Sequence, residues 1–327
     1  MKTNPILFLA AAALLTGCET AIDLPEPPHT PRVAMLYTLT AAPLDSSFQE
    51  LFRQRQLYIS KSQRVFDSGR LMGSVGATAE LRDASGQVVE TYRAVPDFGY
   101  QGPGYYLPER GFRPQLGQPY TLRAKLFDTE TAESTVTLPA PAVVESGSYV
   151  ARPANPNNGG STYYNGRLSL VLRDDPAAAN YYMAYARVLD QQGQPGPWST
   201  VQVDYDSQSN ELSLGQLQLS SPQQQYSLYP FADTGVNGQA ISLVSDVQFY
   251  CYAGGNFPGA QPCPTPGFIE VTVSSITADT YNFYLSRRRY YDADGNPFAE
   301  PAPLASNVRN GYGLFGGATD VTYRIPL

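Results

Sequence analysis

Short runs of alternating apolar and polar residues, broken at close intervals by Gly, Pro, Asn and Asp, constrain the fold of this 327-residue chain more than any other feature. Ala77-Thr78-Ala79-Glu80-Leu81-Arg82 alternates, Asp83-Ala84-Ser85-Gly86 turns, and Gln87-Val88-Val89-Glu90-Thr91-Tyr92 alternates back. A period of two places every second side chain on one face, so this is the signature of a β-hairpin. Gly104 to Leu107, Tyr120 to Leu126 and Thr135 to Leu138 continue the pattern, and Pro139-Ala140-Pro141 closes it. Turns every ~8–12 residues predict an immunoglobulin-like β-sandwich over 33–141. Composition agrees. Gly and Pro number 28 each, and 24 Tyr exceed Phe and Trp together, a mixture that favours strands and tight turns.

The stretch 142–166 is rich in Asn, Gly and Pro and reads as a linker or long loop. A second, larger β domain is expected over 167–327, with strands near 167–173, 181–189, 199–205, 239–250, 268–274 and 319–325. Its one helix is expected over 276–291. Thr277-Ala278-Asp279 suits a helix start, and Tyr281, Tyr284, Leu285 and Arg288 would share a face. Phe48 to Arg55 fits either a short helix or a loop insertion. The fold class expected is mainly β: an immunoglobulin-like sandwich followed by a larger β domain with one helix.

The N-terminus carries an address. Lys2 precedes an apolar run from Ile6 to Leu15, far shorter than the ~20 residues of a spanning helix. Leu15-Thr16-Gly17-Cys18 then ends it as a lipobox does. The expectation is a lipoprotein signal peptide over 1–17, with acyl chains on Cys18 anchoring the protein to a membrane. The competing reading is an ordinary cleaved signal with a chance cysteine. Residues 18–32 contain Pro25, Pro27, Pro28 and Pro31 and read as an extended tether. Loss of Lys2 moves the net charge from −7 to −8. An acidic chain has no electrostatic attraction for nucleic acid or an anionic membrane surface.

Little in the chain suggests catalysis. The only histidine, His29, lies in the tether, which excludes histidine-based triads and metal sites elsewhere. No catalytic residue, metal or cofactor is expected. Asp174-Asp175 is the most visible carboxylate pair, but it precedes Pro176 and suits a turn. Asp292 to Asn296 resembles a calcium loop without its glycine and closing glutamate, so a solvated turn is favoured. Cys251 and Cys263 flank an irregular loop and are expected to form a disulfide; a metal or redox pair would want Cys-x-x-Cys or a nearby histidine. Trp198, in Gly196-Pro197-Trp198-Ser199, is either a ligand platform or a cover over the core.

The C-terminal stretch is the most distinctive: Asn296-Pro297-Phe298-Ala299-Glu300-Pro301, then Ser306-Asn307-Val308-Arg309-Asn310-Gly311-Tyr312-Gly313-Leu314-Phe315-Gly316-Gly317. With Cys18-Glu19, Ile22 to Pro25, Asp174-Asp175-Pro176, Asn180-Tyr181-Tyr182, Phe231-Ala232-Asp233 and Asn237-Gly238-Gln239, it resembles a Bacteroidota lipoprotein family, domain of unknown function 4249. The resemblance implies an outer-membrane anchor and, through the family's frequent neighbours, a TonB-dependent outer-membrane transporter as partner. It carries over no catalytic residue. The expected role is a non-enzymatic, ligand- or partner-binding accessory; a structural or assembly factor of the envelope is the alternative, and a carboxylate-dependent glycan hydrolase a third reading. Only Glu19 and Asp23 add acidity after Cys18, so which side of the outer membrane it faces stays open. The four glycines from Gly311 to Gly317 are expected to serve tight turns or close backbone approach, with Leu314 and Phe315 buried.

Overall fold

The computed structural model describes residues 25–42, 45–64, 67, 72–95, 103–153, 161–204, 215–221, 227–252, 263–293 and 302–327. Two compact units divide the chain. The small one, Met1–Thr30 with Gln63–Gly69, has an ion pair between Arg64 and Glu26 at 3.1 Å. Cys18 and the expected signal segment, 1–17, lie outside the described residues. The large unit, Pro31–Ser62 with Arg70–Leu327, holds all the strands and helices that follow.

Its elements are β1 (Val33–Thr40), α1 (Gln49–Gln54), β2 (Leu57–Lys61), β3 (Thr78–Arg82), β4 (Val88–Ala94), β5 (Tyr105–Pro108), β6 (Pro119–Lys125), β7 (Ala132–Thr137), β8 (Val143–Arg152) and β9 (Ser161–Arg173). There follow β10 (Tyr181–Asp190), β11 (Gln202–Val203), β12 (Gln216–Leu217), β13 (Phe231–Ala232), β14 (Ala240–Tyr252), β15 (Pro266–Ile276), α2 (Ala278–Ala293) and β16 (Gly311–Pro326). The fold is mainly β, with one helix longer than two turns, as the sequence pattern implies.

Eleven strands form one sheet in the order β13-β10-β15-β16-β1-β2-β5-β4-β3-β6-β7; β11-β14-β9-β8 form a second, with β12 added to β14. The link between the N- and C-terminal strands is the parallel pairing of β1 with β16, from Val33 opposite Gly311 to Thr40 opposite Ala318. The strands from β1 to β7 therefore stay on one hydrogen-bonded path. They curl so that their inner faces enclose a single core of Val33, Met35, Leu57, Ile59, Leu81, Tyr106, Leu122 and Val136. The curl brings β7 back to β16: Thr319 donates to the Pro139 carbonyl at 2.7 Å, and Glu133 bridges Arg309.

The 142–166 stretch is not a linker. β8 and β9 occupy most of it and pair from Val143 opposite Arg173 to Arg152 opposite Asn165. The Asn/Gly/Pro residues that suggested a linker are concentrated at 153–160, between two strands whose flanks carry Val143, Val144, Tyr149, Tyr163 and Tyr164. The second sheet packs on β10, β15 and β16 around Leu168, Leu170, Ile241, Leu243, Val271 and Val273. On the opposite side of β10 and β16, α1 and α2 cover Met183, Tyr185 and Leu314 with Leu51, Phe283 and Tyr284. Tyr284 lies on the face the periodicity assigns to the core. Arg288 does not join it and sits over the Tyr229 ring instead, 4.9 Å from its centroid.

The glycine-rich run is strand rather than turn. Gly313 has φ +107°, and a Cβ there would fall on the Met35 carbonyl oxygen. Gly316 leaves room for Thr280 of α2, whose hydroxyl a Cβ would displace. These glycines permit close backbone approach on both sides of β16, while Leu314 and Phe315 are fully buried. Asn307 holds the run in place: its amide nitrogen donates to the Phe315 carbonyl at 2.9 Å, and its oxygen accepts the Phe315 N–H at 3.0 Å.

Candidate functional site

The curl of the N-terminal strands leaves a cavity of about 360 Å³ between β1, β2, β4, β5 and the segment after β5. That volume falls within the ~300–1,000 Å³ of small-molecule sites. Leu39, Leu57, Leu81, Tyr106 and Phe112 give it apolar walls, and α1 contributes Phe52. Tyr37 on β1 and Tyr92 on β4 come from strands that are not neighbours in the sheet. The curl alone makes their rings meet edge to face, centroids 5.5 Å apart. Phe315 stacks on the other side of Tyr37 at 5.8 Å, so the glycine-rich strand backs the cavity wall.

The polar groups divide into occupied and free. Tyr92 donates to the Tyr37 oxygen at 3.2 Å. Burial pushes the Tyr37 phenol up to about 12, and raises Tyr92 as well, so both stay neutral hydroxyls at physiological pH. Glu90 is buried, and its carboxylate accepts the backbone N–H groups of Thr91, Glu109 and Arg110 on one oxygen and of Phe112 on the other, at 2.7–3.0 Å. Burial opposes its ionisation, but the four N–H donors outweigh that and hold the carboxyl below its ordinary range. Glu90 thus ties the 109–112 segment to β4 beside the cavity. Arg55 reaches the cavity but is committed elsewhere. It pairs with Asp320 of β16 and donates to Ser274 Oγ at 2.6 Å, while Ser274 donates to Asp320 at 2.6 Å. Arg93 and Arg113 also line the cavity, are exposed, and have no partner among the described residues.

The residues singled out by sequence lie elsewhere. Asp174 is buried, accepting from the Tyr182 hydroxyl and the Gly238 N–H, both at 2.8 Å. Asp233 accepts the Asn180 N–H at 2.9 Å, Asp175 accepts the Ala177 N–H, and Asn180 donates back to the Asp175 carbonyl. Asp174, Asn180, Tyr182, Asp233 and Gly238, scattered over some sixty-five positions, are thus one knot joining the β9–β10 turn to the β13–β14 turn. Its carboxylates are occupied by donors of the fold, which is the turn role expected of Asp174-Asp175. Cys251 and Cys263 have their sulfurs 2.14 Å apart, a disulfide closing the loop after β14. Trp198 is half-buried, packs on the core between the two sheets and bridges Cys251 along the backbone, so its ring covers the core. Asp292 lies on α2; Asp294 to Asn296 are outside the described residues. Glu270, flanked by Arg187 and Arg324 at 2.6–2.9 Å, is a self-satisfied ion cluster. Among the described residues no three His, Cys, Asp or Glu side chains converge to hold a metal ion.

Sequence reasoning missed the cavity. One signal was present: in β4 the alternation that puts Tyr92 inside also puts Glu90 inside, and a carboxylate on an apolar face calls for partners.

Comparison with known proteins follows this geometry. The model of the family described as "Domain of unknown function (DUF4249)" matches residues 44–324, and the chain belongs to that family. A search of curated proteins found no match. Among solved structures, one titled "Enterococcal surface protein, partial N-terminal region" aligns over 91% of this chain and 97% of its own, at 8% identity and a TM-score of 0.13, a similarity too low to inform the fold.

Proposed function

We propose that this DUF4249-family protein is a lipid-anchored envelope protein, held at the outer membrane through Cys18, that binds a small ligand for a TonB-dependent transporter without chemically altering it. The observation that carries the reading is the open cavity of about 360 Å³ lined by the curled N-terminal strands. Its lining supports binding over turnover: the glutamate is saturated by backbone donors, the tyrosines are neutral, and among the described residues Thr40 is the one aliphatic hydroxyl and no serine, cysteine or histidine lines it. Apolar walls with a few convergent polar groups are the usual make-up of a ligand site.

The test is affinity purification of the full-length protein in mild detergent, with metabolic palmitate labelling of wild type and Cys18→Ala. Expected are label on the wild type only, a co-purifying outer-membrane transporter, and impaired uptake of one nutrient class in a deletion strain. No transporter and unchanged uptake would remove the accessory role. One observation favours an assembly role as the second reading. β8 forms an edge of the smaller sheet over ten residues, with Val143 and Val150 exposed, a geometry open to strand addition by a partner. Altered outer-membrane protein content with normal uptake would favour that reading.

A further inference from the structure

We propose that the cavity selects an organic anion: an aromatic or branched apolar body carrying one carboxylate, sulfonate or phosphate group. The inference rests on the binding reading above and adds the chemistry of the ligand. The protein as a whole is acidic, with formal net charge −7, yet its cavity is lined by three arginines against one glutamate. The glutamate and one arginine are already engaged within the fold: Glu90 stays ionised but its oxygens are taken by four N–H donors, and Arg55 is paired with Asp320. Of the charged lining groups, what remains is two exposed guanidiniums, Arg93 and Arg113, that no carboxylate of the described protein answers. They sit on separate elements, β4 and the segment tied down by Glu90, and both are among the residues lining the cavity. Guanidinium is the side chain best matched to carboxylate and phosphate geometry. Behind it, Leu39, Leu81 and Phe112 offer an apolar surface for the rest of the molecule. The Tyr37 proton, which Tyr92 does not use, adds one more donor and no anionic charge. A cationic ligand would meet like charge, and a fully apolar one would leave the guanidiniums unanswered.

Two probes sharing one ring system separate the anion claim from the cavity claim. They are 8-anilinonaphthalene-1-sulfonate and its neutral counterpart N-phenyl-1-naphthylamine, titrated by fluorescence into the folded full-length protein. One saturable site is expected for both, tighter for the sulfonate and weakened for it alone by salt. The double variant Arg93→Ala/Arg113→Ala should weaken the sulfonate about fivefold, from two partly exposed ion pairs, and leave the neutral probe within about twofold. Arg93→Lys/Arg113→Lys should recover part of the loss. Phe112→Ala should weaken both probes; binding indifferent to it lies outside the cavity and overturns the proposal. If both probes bind equally and the arginine variants change neither, the anion selectivity is wrong while the binding site stands. If neither binds, the ligand-binding function proposed above falls with it.

Discussion

Glu90→Gln should destabilise the protein by about 3 kcal/mol at neutral pH, and the deficit should vanish in acid. The magnitude follows from the four hydrogen bonds. One carboxylate oxygen accepts from Thr91, Glu109 and Arg110, the other from Phe112. A carboxamide keeps the first oxygen and replaces the second with NH₂, which cannot accept the Phe112 N–H. One charge-assisted bond, net ~1.5–3 kcal/mol, is lost, and three others weaken toward the ~1 kcal/mol of neutral pairs. Rehydration tempers the loss, because Glu109, Arg110 and Gly111 are exposed and the freed N–H groups can reach water.

The pH dependence has a definite sign. The folded carboxyl is held below its ordinary 4.5, so ionised Glu90 stabilises the protein fully above that range. The contribution is lost as pH falls through the depressed folded value, where wild type and Glu90→Gln should converge. Urea unfolding at a series of pH values measures the gap. Hydrogen exchange at the Glu109, Arg110 and Phe112 amides reports whether the segment has been released. A variant within about 0.5 kcal/mol of wild type at neutral pH, or a gap that persists unchanged in acid, would refute the reasoning, because either outcome means the N–H groups are not held by a charge.

Arg55→Met should cost about 3–5 kcal/mol in chemical denaturation by leaving the Asp320 carboxylate without its cation, and Arg55→Met/Asp320→Asn should recover a measurable part of that loss in a double-mutant cycle. Gly313→Ala should lower stability by ~2–3 kcal/mol or prevent folding, since it combines a positive φ with a clash on the Met35 backbone; a thermal melt unchanged from wild type would mean β1 and β16 are not paired as described. Reduction of the Cys251–Cys263 bond, 12 residues apart, should cost about 3 kcal/mol by the chain-entropy relation, read as a lower urea midpoint in the presence of reductant.

Much of the architecture was legible locally. The hairpin at 77–92 became β3 and β4, paired from Ala79 opposite Tyr92, because alternation and turn chemistry agree there. The long helix was legible because Thr277 begins it: its hydroxyl meets Thr280 at 2.8 Å and its carbonyl accepts the Tyr281 N–H. What could not be read was non-local. Nothing near Val33 announces that it pairs with Gly311, so two β domains were a natural expectation where one sheet runs through both. The 142–166 segment misled because its turn residues outweighed flanking tyrosines and valines in a simple composition count. The cavity was hidden for the same reason as the β1–β16 pairing. Tyr37, Glu90 and Arg113 are individually ordinary, and only sheet curvature brings them to one place.

The division between scaffold and cavity bears on where function in this chain is to be sought. The most recognisable residues are nearly all engaged by the fold itself. Asn307 holds Phe315, Gly313 and Gly316 admit neighbouring backbone and helix, and Asp174, Asn180 and Asp233 pin two turns. None of these groups is left to meet a ligand. Of the arginines that line the cavity, Arg93 and Arg113 have no partner among the described residues, and they lie in stretches that carry no recognisable motif. The scaffold nevertheless reaches the cavity at one point: Phe315, locked by Asn307, stacks on Tyr37 and fixes the wall against which a ligand would pack. Asn307→Ala should therefore weaken both fluorescent probes through a displaced Tyr37 while sparing the sulfonate preference, which belongs to the arginines. Loss of that preference in Asn307→Ala, with Arg93 and Arg113 intact, would mean that scaffold and charge are not separable in the way this geometry requires.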